Sequence, residues 1–178
     1  MKLSTRDITY CSIMAALTLL SGFITVPLGP IPLTLQTLFV LLTGLILSKR
    51  NALISQGIYF LLSLLIGGFQ SFLSPSFGFV FGFAAGAYVI AFIIEKYGFT
   101  VKSASIAVFI GSVVIYLVGL PYMAIILNSY LGGNFSIMQI LQMGLFIFIP
   151  GDLIKAVFAV VVGLRLKGKV AHSQSQVN

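Results

Sequence analysis

SASIAVFIGSVVIYLVGLPYMAIIL, residues 103–127, decides the fold. It carries no charge over more than the roughly 20 apolar residues that a membrane-crossing helix needs. Its apolar residues run on without the alternation that a membrane barrel requires of its strands, so the reading is helical. Working outward, charge divides the chain into three uncharged blocks, residues 8–48, 51–94 and 103–151. Each of the first two is about twice the length of one span and reads as a helical hairpin. Gly and Pro mark the turns: residues 26–32 hold three prolines, and residues 67–76 hold a Gly-Gly pair and Pro75. The resulting spans are residues 6–26, 33–48, 51–66, 77–95, 103–127 and 150–166. Residues 131–134 mark a further joint, and residues 136–149 read as a short helix at the outer face.

The turns at 26–32 and 67–76 lack Lys and Arg, whereas Lys2, Arg6, Lys49, Arg50, Lys96, Lys102, Arg165, Lys167 and Lys169 all fall where the chain returns to its starting side. The positive-inside asymmetry then puts both termini in the cytoplasm. The expected protein is an all-α integral membrane protein, multi-pass in the plasma membrane of a prokaryotic cell. It has one six-helix transmembrane domain over residues 1–170 and a polar cytoplasmic tail over 171–178. No small-residue cleavage site follows the first apolar stretch, so that segment is expected to be retained.

Composition excludes most other classes. With 59% hydrophobic and 7% charged residues among 178, the chain cannot present a charged surface to water. A net charge of +7 raises the question of nucleic acid, but the ten basic residues flank apolar runs and form no patch among stacking aromatics, so no nucleic-acid partner is expected. The one cysteine, Cys11, makes neither a disulfide framework nor a metal cluster. Asp7, Glu95 and Asp152 are the only acids, so paired-acid or metal-assisted catalysis has no visible machinery, and no enzyme, metal or cofactor is expected. No GxxxxGK[ST] phosphate loop occurs, so active transport would need an outside engine.

The polar residues inside this apolar body are few. In PGDLIK, residues 150–155, Asp152 and Lys155 are three apart and share one helix face. Pro150 suits a first helical turn, which puts Asp152 near the positive end of the helix dipole. A charged side chain in a membrane span costs about 2.5–3.5 kcal/mol on insertion scales, so two on one span need compensation. Three readings are open: a ligand site in which Asp152 accepts N–H donors and Lys155 holds a carboxylate, a structural ion pair, or a proton relay. PLGPIPLTLQTL, residues 27–38, brings Thr34, Gln36 and Thr37 to the start of a helix, for a ligand or for helix–helix hydrogen bonds. Among the aromatics of residues 77–83, Phe79 is a candidate pocket wall. On the first span, Ser12 with Ala16, or Cys11 with Ala15, forms a small-xxx-small pattern that lets a partner helix approach. Tyr10, Tyr97, Tyr122 and Tyr130 read as interfacial anchors. His172 reads as a solvated tail residue.

PLGPIPLTLQTL, SPSFGFVFGF at residues 74–83 and FIPGDLIKA at residues 148–156 resemble, in order and spacing, the biotin-specific S components of energy-coupling factor (ECF) transporters, the BioY family. The resemblance covers nearly the whole chain. It implies an S-component bundle that captures biotin from outside, associates with a transmembrane coupling protein (T component) driven by two ABC ATPases, and tilts in the membrane to deliver it. Asp152 and Lys155 take the places of the family's acidic and basic biotin contacts, and docking on the coupling protein falls to Ser12 and Ala16 or their neighbours. The joint IGGFQSFLSPSFG, residues 66–78, is shorter than the family's. Phe69 and Gln70 are the candidates to replace the pocket residues it normally supplies. Three alternatives stay beside this one: a related acid such as lipoate, a self-sufficient proton-coupled transporter using Asp152, and a structural protein.

Overall fold

The computed structural model describes residues 3–28 and 31–175, with side chains described as far as Leu166. Lys2 and Pro30 lie outside the described residues, as do the side chains of Lys167, Lys169 and His172 and the end of the polar tail. Six long helices and one short one form the described chain: α1 (Thr5–Leu20), α2 (Gln36–Ile46), α3 (Lys49–Gly67), α4 (Gly78–Tyr97), α5 (Val101–Ile125), α6 (Ile137–Leu141) and α7 (Ile149–Ser175). Among the described residues, four stretches are long and apolar enough to cross a membrane: Lys49–Gly67, Pro75–Tyr97, Val101–Tyr130 and Ile137–Leu166.

The first two expected spans are shorter than the sequence suggests. Instead of running to residue 26, α1 stops at Leu20, passes through a 3-10 turn at Ser21–Phe23 and enters a two-residue strand, β1 (Thr25–Val26). That strand pairs antiparallel with β2 (Leu33–Thr34), Thr25 opposite Thr34 and Val26 opposite Leu33. Helix α2 therefore starts at Gln36 rather than 33. Proline at 27, 30 and 32 cannot donate to a helix ladder, so the hairpin takes over where the helix fails. The expected short helix over 136–149 is also revised. Five residues of α6 continue through a π-helical turn at Gln142–Phe146 and a tight turn into α7.

Capping fixes the helix starts. Ser4 and Asp7 form a reciprocal capping box on α1, Thr100 and Ser103 form one on α5, and Ser136 and Gln139 form one on α6. Gly98, with φ of 77°, ends α4 in a conformation that side chains resist and lets α5 start within three residues. One end of the bundle gathers the charges: Asn51 Nδ2 donates to Asp7 Oδ1 at 2.8 Å, and Lys49 pairs with Glu95 at 3.4 Å. These contacts tie α3 to α1 and α4.

Helix α4 is the hub and touches α2, α3 and α5. Its small residues let the neighbours in: a Cβ on Gly82 would lie 2.6 Å from the Ile115 carbonyl oxygen, and one on Gly86 would lie 2.9 Å from that of Gly111. Leu41, Leu45 and Ile90 fill the centre and are fully buried. The outside is as apolar as the inside, with Leu65 80%, Phe109 70% and Ile154 71% exposed. Such a surface is suited to lipid and not to water.

Because backbone lies behind Gly82, valine there should overpack the α4–α5 contact by about 1–3 kcal/mol. Gly57 has open space around it, so alanine there should stabilise α3 by about 0.5–1 kcal/mol. Thermal unfolding in detergent should therefore move in opposite directions for Gly82→Val and Gly57→Ala. A Gly82→Val protein that melts at or above the parent temperature contradicts the packing described.

Candidate functional site

At the end of the bundle opposite the charged one, the β1–β2 hairpin, the start of α2, the middle of α3, the α3–α4 joint and the first turn of α7 enclose a cavity of about 360 Å³. Its walls are mostly apolar; its charged groups come together where α7 begins, and the α3–α4 joint adds serines.

Pro150 fits the first turn of α7, and the chain then presents Asp152 and Lys155 on one face. Both side chains point inward: that of Lys155 is 7% exposed and that of Asp152 is 16% exposed. They form an ion pair, Lys155 Nζ against Asp152 Oδ1. A carboxylate oxygen has two acceptor sites, so Oδ1, beside Lys155 Nζ, can still accept from an N–H donor. Tyr116 of α5 donates its hydroxyl to Asp152 Oδ2. Lys155 Nζ also donates to the Thr34 carbonyl at 3.0 Å. An α7 acid and base are thus held by α5 on one side and by the β2–α2 junction on the other.

A second chain of hydrogen bonds adjoins the first. Thr34 Oγ1 donates to Gln36 Oε1 at 3.1 Å, and Gln36 Nε2 donates to the Tyr59 hydroxyl at 2.7 Å. Gln36 fits because the 3-10 turn after α1 has a glycine opposite it: a Cβ on Gly22 would lie 2.8 Å from Gln36 Nε2. Tyr59 is 3% exposed and rests against Phe83 with ring centroids 6.2 Å apart. Phe79 meets Tyr116 edge to face at 5.9 Å. The apolar part of the cavity is therefore aromatic, and each aromatic is placed by a partner.

Of the residues singled out from sequence, Asp152, Lys155, Thr34, Gln36 and Phe79 line this cavity, as does Thr37. Phe69 and Gln70 do not. Phe69 is 83% exposed, Gln70 is exposed, and neither reaches the cavity wall. The joint, built of 3-10 turns at Phe69–Leu73 and Pro75–Phe77, contributes Ser71, Ser74 and Ser76 to the lining instead. Tyr116 and Tyr59 escaped the sequence reading. The signal was present, since both lie in mid-span rather than at an interface, where a phenol has to find a partner inside the protein. The Tyr122 hydroxyl donates to the Phe72 carbonyl and ties α5 to the α3–α4 joint.

The two small-residue pairs on α1 separate. Cys11 and Ala15 are fully buried, and Cys11 Sγ donates to the Asn51 carbonyl at 3.3 Å, so this pair serves the contact with α3 and is closed to an outside partner. Ser12 is exposed and Ala16 half-buried. Among the described residues no group of three or more His, Cys, Asp or Glu could hold a metal ion.

Comparison with known proteins gives a consistent result. The chain is 34% identical to the probable biotin transporter BioY of Lysinibacillus sphaericus, over 92% of this chain and 87% of that protein. It is 34% identical to the biotin transporter BioY of Thermotoga maritima, over 91% of this chain and 96% of that protein. Its fold is similar to the crystal structure, at 2.1 Å, of the S-component for biotin from an ECF-type ABC transporter. The TM-score is 0.79 and the identity 27%, over 94% of this chain and 95% of that one. The BioY family model matches residues 1–172, and the chain belongs to the BioY family.

Proposed function

We propose that this chain is the substrate-binding S component of an ECF-type ABC importer and that Asp152 and Lys155 hold biotin in the cavity. The observation that carries the reading is the Asp152–Lys155 ion pair, which has no net charge, at the end of an apolar, aromatic cavity. Because Lys155 is already neutralised, a ligand carboxylate brought beside it would bury an uncompensated charge at a cost of several kcal/mol. A neutral head with N–H donors and a carbonyl acceptor has no such cost. It gives N–H to the lone pair left on Asp152 and takes a hydrogen bond from Lys155. The ureido group of biotin has that pattern, its bicycle and chain suit the aromatic walls, and its carboxylate then lies toward Ser71, Ser74 and Ser76. Lipoate offers no N–H donor and would leave Asp152 without a ligand partner. A proton carrier needs an acid free to load and unload, whereas Asp152 is engaged by both Lys155 and Tyr116.

Uptake against a gradient needs energy from outside this chain, and a T component with two ABC ATPases is the partner set that the reading requires. The exposed Ser12 with its neighbour Ala16 is the small-residue face left for that partner. The protein then crosses the prokaryotic plasma membrane several times, with the charged end of the bundle and both termini in the cytoplasm.

Calorimetry on the detergent-purified chain should show saturable one-to-one binding of biotin. A biotin amide should bind nearly as well, since the carboxylate is not paired with Lys155. Lipoate should not compete. Asp152→Asn should weaken biotin binding by at least about 30-fold, in line with the 2–5 kcal/mol that follows truncating a buried charged contact. Tight binding of lipoate but not of biotin by well-folded protein would sink the substrate assignment.

Folding and binding at this pair are separable. Lys155→Met leaves Asp152 as an uncompensated buried acid and should destabilise the protein by about 3–5 kcal/mol, while Asp152→Asn with Lys155→Met should recover most of that loss. Thermal unfolding in detergent reads the first effect, and biotin titration of the double variant reads the second. The double variant should be stable and should not bind. Equal stability of the single and double variants would show that the pair does not act as a unit.

A further inference from the structure

The far side of the Tyr116–Asp152 contact borders a second cavity, an apolar groove of about 590 Å³ between α5 and α7. We propose that this groove holds one acyl chain of an anionic phospholipid, whose phosphate is met by Lys102 and Arg165. This inference is independent of which ligand the first cavity takes.

The floor of the groove is closed by Val108 and Val160, 2% and 9% exposed, while its rims, Val113 at 42% and Val157 at 66%, face outward. It extends along α5 from Val101 to Tyr116, roughly 22 Å at about 1.5 Å per residue, somewhat more than one leaflet's half of a roughly 30 Å hydrocarbon core. A slot of that length with mostly apolar walls suits a polymethylene chain.

Charge sets the orientation of the occupant. A Cβ on Gly163 would lie 3.5 Å from Phe99 Cζ, so the α4–α5 turn abuts α7 at Gly163. Lys102 and Arg165 therefore lie at the same end of the groove. Both are exposed, and neither forms an ion pair among the described residues. Paired cations at the mouth of an apolar slot between transmembrane helices suit an anionic headgroup. At the other end the slot stops against Tyr116 and Asp152, so the chain's tip would lie behind the contact that fixes Asp152 in the ligand cavity.

Native mass spectrometry of the full chain in mild detergent, titrated with phosphatidylglycerol or phosphatidylcholine, tests the proposal. One phosphatidylglycerol per chain should be retained, in preference to phosphatidylcholine. Lys102→Ala with Arg165→Ala should weaken retention by about fivefold per charge removed. Val157→Trp, which fills the slot from its outer rim, should abolish it, and Val113→Trp from the opposite wall should do the same with unchanged melting temperature. Retention that survives both tryptophan variants, or that glycerol phosphate displaces as well as the whole lipid does, would mean a headgroup patch only and would overturn the groove assignment. Equal retention of the two lipids, unaffected by loss of both cations, would overturn the charge argument.

Discussion

The ion pair between Asp152 and Lys155 is the constraint on which the rest of this structure depends. Two charges in a lipid-embedded helix are tolerated only if they neutralise each other and satisfy their remaining hydrogen-bonding capacity. Both oxygens of Asp152 are engaged, one by Lys155 and the other by Tyr116, and Lys155 also reaches the Thr34 carbonyl. The pair thereby fixes α7 against α5 and against the β2–α2 junction. Neither contact on its own would suffice. Without Tyr116 the acid would face the cavity with one oxygen unpaired, and without the Thr34 carbonyl the ammonium would have spare donors in an apolar wall.

The same accounting of polar groups explains why α1 and α2 are short. Irregular backbone is stable at membrane depth only where protein covers it or where it lines a cavity. The segment from Ser21 to Leu35 gives up the helical ladder and replaces it with a two-residue hairpin, side-chain bonds and the contact to Lys155. An 11-residue α2 rises roughly 16 Å, about half the hydrocarbon core. The space beyond its N-terminus is what the cavity occupies. The prolines that stop the helix are thus also what makes room for the site.

Much of this was legible in the chain itself, for reasons specific to each element. PGDLIK is readable because a charge in an apolar run is rare and its i, i+3 spacing leaves one geometry. TLQTL is readable because a buried amide needs a partner. The limits are equally physical. Periodicity cannot say which of two small-residue pairs one residue apart faces inward, and Cys11 and Ala15 turned out to be spent on α3. A joint of 3-10 turns has no fixed face, so the sequence points to Phe69 and Gln70 where Ser71, Ser74 and Ser76 line the cavity. Tyr116 and Tyr59 were passed over because their partners, Asp152 and Gln36, are remote in sequence, 36 and 23 residues away.

A neutral pair in a mostly apolar cavity is also a way of being selective. A bare lysine in this position would attract any small acid that fits between the aromatics, and a bare aspartate any amine. Locked together, they present no net charge, so long-range attraction drops out and recognition rests on short hydrogen bonds with direction. A ligand that supplies both donor and acceptor satisfies the lone pair on Asp152 and a proton of Lys155 at once. One that supplies only an acid tail leaves both unsatisfied and adds a charge. Sites built on buried hydrogen bonds reject analogues lacking the partner far more strongly than apolar pockets reject a missing methylene. On the proposed reading, the compensation that allows α7 to sit in lipid is the same arrangement that lets the cavity discriminate.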